Sequence, residues 1–164
     1  MCVSGGEPTL SPNLKAFLSR LKVMGFKVKL DTNGTNPDVL KSVIDEGLVD
    51  YIAMDIKNSI EKYSITAGVS NSQVDKIVQS INILINSKID YDFRTTLVEE
   101  FHTHEDIKNM ANLLKGAKRI YLQKFNSSQF CIKKDLSSVS KEVAESYVSL
   151  LKQSIDEVSL RGYI

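Results

Sequence analysis

The stretch Gly25-Phe26-Lys27-Val28-Lys29-Leu30-Asp31-Thr32-Asn33-Gly34 decides the fold class. Upstream of it, Leu14, Phe17, Leu18 and Leu21 recur at i, i+3, i+4 and i+7, one face of a helix that Ser11-Pro12 opens and Gly25 closes. Lys27-Val28-Lys29-Leu30 then switches to the period-two alternation of a strand, and that strand runs into the polar turn Asp31 to Gly34. A helix, a glycine, a strand and a polar turn in this order form the short connection of a parallel sheet layered with helices.

The cycle returns along the chain. Asn36-Pro37 opens a helix carrying Val39, Leu40, Val43 and Ile44, Gly47 ends it, and Tyr51-Ile52-Ala53-Met54 reads as a buried strand. Val74, Ile77, Val78, Ile81 and Leu84 mark a third helix, while residues 58–71 carry no clear pattern. Phe93 to Val98 reads as a strand, and Thr103 with Asp106 forms a capping-box pattern ahead of Ile107, Met110, Ala111 and Leu114, closed by Gly116. Ile120-Tyr121-Leu122 is the last expected strand, Val143 to Val158 the last helix, and the polar stretch 126–139 a loop. Strands beginning near residues 1, 27, 51, 92 and 120 predict an α/β fold: a parallel sheet with outer helices, curled as a partial (βα) barrel of about five of six βα units. Five strands are too few for a closed eight-stranded barrel.

At 164 residues, 42% of them apolar and 25% charged, the chain has the length and core of one domain, 1–164. Its 21 basic and 20 acidic residues are interspersed and leave a net charge of +1, which argues against nucleic acid or an anionic membrane as a partner held by bulk charge. No apolar run approaches the ~18 residues of a membrane span, and the amino terminus has no secretory pattern. Two cysteines, Cys2 and Cys131, build no disulfide framework, so a cytoplasmic location is expected.

In parallel α/β folds the working residues gather at the carboxyl ends of the strands. Those ends here carry Ser4-Gly5-Gly6-Glu7-Pro8, Asp31-Thr32-Asn33-Gly34 and Asp55-Ile56-Lys57, then Arg94-Thr95-Thr96 along a strand, then Gln123, Lys124 and Asn126. Taken singly they read as a tight glycine turn, an Asx turn and a solvated ion pair; together on one rim they predict a site. His102 and His104 flank Thr103 ahead of Glu105. A His-x-His pair chelates zinc in a metal-dependent hydrolase, but no third histidine exists, and solvated residues at a helix start are the expected account. Cys2 is expected to be a small buried apolar group on the first strand, and Cys131 to lie in a loop.

Ser4-Gly5-Gly6-Glu7-Pro8-Thr9-Leu10 resembles the GGEP motif of radical S-adenosylmethionine (SAM) enzymes. Leu30-Asp31-Thr32-Asn33-Gly34 and Met54-Asp55-Ile56-Lys57 resemble the DTNG and D-x-K motifs of glycyl-radical-enzyme activases, and the likeness runs through Phe93-Arg94-Thr95-Thr96 to about Phe125. It is closest to activating proteins of anaerobic ribonucleotide reductase, with pyruvate formate-lyase activating enzymes next. The resemblance implies an oxidoreductase that uses SAM and a [4Fe–4S] cluster to place a glycyl radical on a partner enzyme, fed by a donor such as flavodoxin or ferredoxin.

The resemblance also implies the site residues. Gly5, Gly6 and Glu7 would meet the SAM amino group, Asp31 and Asp55 would lie near its carboxylate, and Pro8, Thr32 and Asn33 would complete the cofactor-binding set. Lys57 and Arg94 would neutralise that charge, and a monovalent cation could sit at Asp31, Thr32 and Asp55. The family's CxxxCxxC cluster loop has no counterpart in this sequence, so the expectation is an amino-terminally truncated core with no catalytic residues of its own and no activity alone. Such a piece would expose a sheet edge beside Met1-Cys2-Val3 and favour a dimer across it. The alternative is a non-catalytic α/β binding module that keeps a degenerate SAM-type pocket.

Overall fold

A computed structural model describes residues 1–127 and 135–163. Six strands, β1 (Cys2–Val3), β2 (Lys29–Thr32), β3 (Tyr51–Asp55), β4 (Asp90–Leu97), β5 (Arg119–Lys124) and β6 (Glu157–Arg161), lie in the sheet in chain order. Six helices alternate with them: α1 (Leu14–Val23), α2 (Pro37–Asp45), α3 (Ile60–Ala67), α4 (Asn71–Ile85), α5 (His104–Leu113) and α6 (Lys141–Leu151). The expected α/β architecture, a parallel sheet with outer helices, is the one observed.

The structure adds one strand and one helix to the sequence reading. The helix expected to run to Val158 stops at Leu151, and Glu157–Arg161 forms β6, paired in parallel with β5 from Arg119 opposite Glu157 to Gln123 opposite Arg161. Val158 continues the apolar period of α6, which hid the strand. The unassigned segment 58–71 contains α3, whose apolar face is too short to show a period. Part of the expected loop 126–139, with Cys131, lies outside the described residues.

The chain forms two compact units, residues 1–55 with 70–93, and residues 56–69 with 94–164. In the first, β2 lies between β1 and β3, with Lys29 opposite Tyr51 and Asp31 opposite Ala53. Alternation sends Leu30, Thr32, Ile52 and Met54 to one face, where all four are buried, and Lys29, Asp31, Tyr51 and Asp55 to the other, where all four are half-buried. Leu14, Leu18, Leu21, Leu40, Val43, Ile77, Ile81 and Leu84 of α1, α2 and α4 add buried apolar side chains. The opposite sheet face is thereby left to polar groups. In the second unit α5 packs on α6 and α6 on β6, and the Arg161 guanidinium stacks 3.3 Å from the ring centroid of Tyr121.

Gly34, just past β2, shows how closely this unit is packed. Its φ is +77°, and a Cβ there would lie 2.0 Å from Met54 Cε on β3, while Ser80 Oγ of α4 donates to its carbonyl at 2.7 Å. Gly25, after α1, has a similar φ of +82° with open space around it. Gly25→Ala should therefore cost about 1 kcal/mol from backbone strain alone, and Gly34→Ala about 1–2 kcal/mol more, read from urea denaturation of the two variants.

Asp50 ties the start of β2 to the turn before β3. Its carboxylate accepts from the Val28 N–H at 2.7 Å and from Lys22 Nζ at 2.7 Å, with Lys27 Nζ at 3.1 Å. The Lys22 hydrogen bond, then that from Val28, hold its carboxyl well below the usual carboxylate range. A carboxyl depressed in the folded state adds stability that is present above its unfolded pKa of about 3.9 and is lost on acidification below it. Asp50→Asn should remove that increment, so its stability should fall less steeply than the wild type's between about pH 5 and about pH 2 in thermal melts.

Candidate functional site

The turn after β1 is built on glycine. Gly5 and Gly6 have φ of +115° and +57°, and a Cβ on either would meet no atom within 4 Å. Two adjacent residues in backbone conformations that L side chains rarely adopt leave main chain open to close approach by a ligand. A groove of about 380 Å³ runs beside them, lined by Val3, Ser4, Gly5, Pro8, Leu14 and Phe17 among others.

Glu7 fixes this turn. It caps the 3₁₀ turn Pro8–Leu10, one oxygen accepting from the Thr9 N–H at 3.1 Å, the Thr9 hydroxyl and the Thr32 hydroxyl at 2.8 Å. Its other oxygen accepts from the Asn33 N–H at 2.6 Å. A single carboxylate thus joins the turn after β1 to the turn after β2. Thr32 Oγ1 passes the network on by accepting from the Gly34 N–H at 3.1 Å, and Asn33 Oδ1 accepts from the N–H and hydroxyl of Thr35. The Asx turn expected at Asp31–Gly34 is present, built on Asn33.

Asp31 and Asp55 share the polar face of β2 and β3. Asp31 pairs with Lys29 Nζ at 2.7 Å, a partner two residues back on its own strand. Thr32 points to the opposite face with its hydroxyl committed to Glu7 and Gly34, so its side chain does not join Asp31 and Asp55 in the expected cation site. Deeper on the polar face, Tyr51 donates to the buried Asp92 at 2.7 Å, and Asp92 Oδ1 has no partner among the described residues.

In the second unit the Ile56 N–H donates to the Arg94 carbonyl at 2.8 Å, with Arg94 half-buried on β4. Asn58, fully buried, donates to the Phe101 carbonyl at 2.8 Å and to Thr66 at 3.0 Å, and its own oxygen accepts from the Ser59 N–H. Two sequence expectations are corrected here. His102 is not a solvated residue at a helix start: it is 3% exposed, with Nε2 3.0 Å from the Lys57 carbonyl and Nδ1 3.0 Å from the Val98 amide nitrogen. Burial holds this ring below its ordinary range, against the opposing hydrogen bonds to Val98 and Lys57. With both nitrogens occupied and His104 Nε2 3.0 Å from Ser146 Oγ, the zinc hydrolase reading fails. No group of three His, Cys, Asp or Glu among the described residues is arranged to hold a metal ion. Cys2 is exposed rather than buried, because two-residue β1 is the edge of the sheet.

Residues 1–114 match the model of the radical SAM superfamily. The chain belongs to that superfamily. Two proteins of Methanocaldococcus jannaschii named as glycyl-radical enzyme activating enzymes are 34% identical over 127 residues and 30% identical over 164 residues. These alignments cover 75% and 94% of this chain but 53% and 62% of the relatives, so the chain spans little more than half their length. A domain of a pyruvate-formate lyase-activating enzyme from Bacteroides vulgatus has the same fold, with a TM-score of 0.79 over 99% of this chain and 98% of that one at 19% identity.

Membership implies SAM and an iron–sulfur cluster. SAM fits what the first unit offers: an open glycine turn, a groove beside it and carboxylates on the neighbouring strands for a molecule with an ammonium and a sulfonium. A [4Fe–4S] cluster does not fit the chain's own thiols, because three cysteines are needed and the sequence has Cys2 and Cys131.

Sequence reasoning missed Lys29, Thr9 and His102. Lys29 was accessible, since i and i+2 on a strand share a face; Thr9 donates to Glu7 two residues before it and accepts from Asn36 far along the chain, a pairing that left no local signal. Glu7→Gln should destabilise the chain by about 1–3 kcal/mol, because every partner of this carboxylate is a donor and an amide NH₂ would face one of them. Chemical denaturation measures the loss, and faster hydrogen exchange at the Asn33 amide localises it.

Proposed function

We propose that this chain carries SAM-binding strands of a glycyl-radical-enzyme activase. The observation behind this reading is the carboxylate of Glu7 locking an open glycine turn onto the DTNG turn, in a chain whose relatives bear activase names. In such activases bound SAM is the source of the hydrogen-abstracting group. The protein's part is placement and exclusion of water.

In this reading the carbonyls of the Gly5-Gly6 turn accept from the SAM ammonium, Glu7 and Pro8 hold that turn in shape, and Thr32 and Asn33 brace it from β2. Asp31 and Asp55 lie near the carboxylate of SAM, where their like charge needs compensation. Lys57 and Arg94 supply the positive charge that neutralises it. The protein substrate is a glycyl radical enzyme such as anaerobic ribonucleotide reductase, with flavodoxin or ferredoxin as reductant. Because two thiols cannot hold the cluster, the chain alone is inactive and works with a segment that brings three cysteines. The open edge at β1 is the surface through which a second copy would pair.

Anaerobic reconstitution with iron and sulfide tests this, on the chain alone and joined to a CxxxCxxC-bearing βα segment. After reduction, a SAM-sensitive [4Fe–4S]⁺ electron paramagnetic resonance signal is expected only from the joined form, and light scattering of the chain alone should report a dimer. No cluster in either form would overturn the activase reading and favour the non-catalytic binding module.

A further inference from the structure

The second unit contains a buried histidine with no part in the reading above. His102 lies in the segment after β4, where its ring and its main chain make four hydrogen bonds. Nε2 is 3.0 Å from the Lys57 carbonyl, which only accepts, and Nδ1 is 3.0 Å from both the N–H and the carbonyl of Val98; a proton on Nε2 satisfies the Lys57 carbonyl and the Val98 N–H together, whereas a proton on Nδ1 satisfies neither. In the neutral ring Nδ1 is then the acceptor for the Val98 N–H at 3.0 Å. The His102 N–H returns to the Val98 carbonyl at 3.0 Å, closing a tight turn, and the His102 carbonyl accepts from the Tyr147 hydroxyl of α6 at 2.8 Å. Every polar atom of this residue has a defined partner.

The destination of Nε2 is the important point. Lys57 follows β3 by two residues, and its neighbours are stitched in the same direction: Ile56 N–H to the Arg94 carbonyl, and Asn58 to the Phe101 carbonyl. Three consecutive residues, 56 to 58, are thus anchored to β4 and to the segment that follows it. The bond from His102 is made to the Lys57 carbonyl itself. We propose that His102 is a positioning residue that fixes the Lys57 main chain and so sets where the Lys57 ammonium is presented to an anionic ligand group. The anionic group is a carboxylate of the amino-acid kind, which rests on the SAM reading given above. A residue that merely filled the core would need neither nitrogen placed in this way.

Two substitutions separate the nitrogens. His102→Asn keeps an acceptor near the Nδ1 position for Val98 but reaches too short for Lys57; His102→Gln keeps a donor near the Nε2 position and restores the bond to Lys57. Isothermal titration of the chain with SAM, and with methionine as the smaller carrier of the same carboxylate, should show binding weakened about tenfold in His102→Asn and largely recovered in His102→Gln. Equal affinity in the two variants, or a larger loss in His102→Gln, would overturn the proposal.

Two measurements need no ligand and keep it falsifiable if wild type binds neither compound or a variant fails to fold. In wild type, long-range ¹H–¹⁵N correlation should find the His102 ring as the Nε2–H tautomer at neutral pH; the Nδ1–H tautomer would overturn the proposal. Reductive ¹³C-methylation should give Lys57 a signal that moves in His102→Asn and returns in His102→Gln, and an unmoved signal would also overturn it. Absence of SAM binding by wild type, with these two results as expected, would instead count against the SAM reading.

Discussion

The alternation of β2 and β3 is the constraint on which the first unit depends. Leu30, Thr32, Ile52 and Met54 must be buried for the sheet to hold its helices, and a period of two then forces Lys29, Asp31, Tyr51 and Asp55 onto the other face. A one-residue slip in register would bury the carboxylates and expose the core. The polar face is therefore the unavoidable reverse of the packed one, and Asp31 and Asp55 are placed by the same pattern that makes the domain stable. Gly34 belongs to this arrangement, since the turn leaves β2 so close to Met54 that a side chain has no room.

Much of this was legible in the sequence, for reasons that differ from element to element. α2 and α4 declare themselves through long apolar stripes, and β2 and β3 through alternation followed by polar turns. The motif residues were legible by type and order, but their partners were not. Glu7 was read as a ligand contact, whereas its oxygens are taken up by Thr9, Thr32 and Asn33, contacts that only the folded chain creates. β6 escaped because its first apolar residue continues the helical period of α6, and α3 because eight residues give little periodic signal. His102 was misread because sequence placed it beside a capping box, where solvated residues are usual, while the fold turns it inward toward Lys57.

The two units use buried polar chemistry in related ways. In each, a titratable side chain fixes nearby main chain: Glu7 that of Asn33, His102 that of Lys57. The half-buried Glu7 accepts four hydrogen bonds and the buried His102 has a partner for each ring nitrogen, the condition under which a buried polar group adds rigidity rather than cost. The Tyr147 hydroxyl, donating to the His102 carbonyl, ties α6 to the same residue.

The Glu7 clamp has a thermodynamic consequence. Glycine pairs are ordinarily the most mobile part of a loop, and a ligand that orders them must offset the lost conformational entropy. Here four hydrogen bonds to one carboxylate at the exit of the Gly5-Gly6 turn have already removed much of that freedom in the ligand-free chain. Any ligand that binds at this turn should therefore meet a small entropic penalty, because the shape of the turn exists before the ligand arrives.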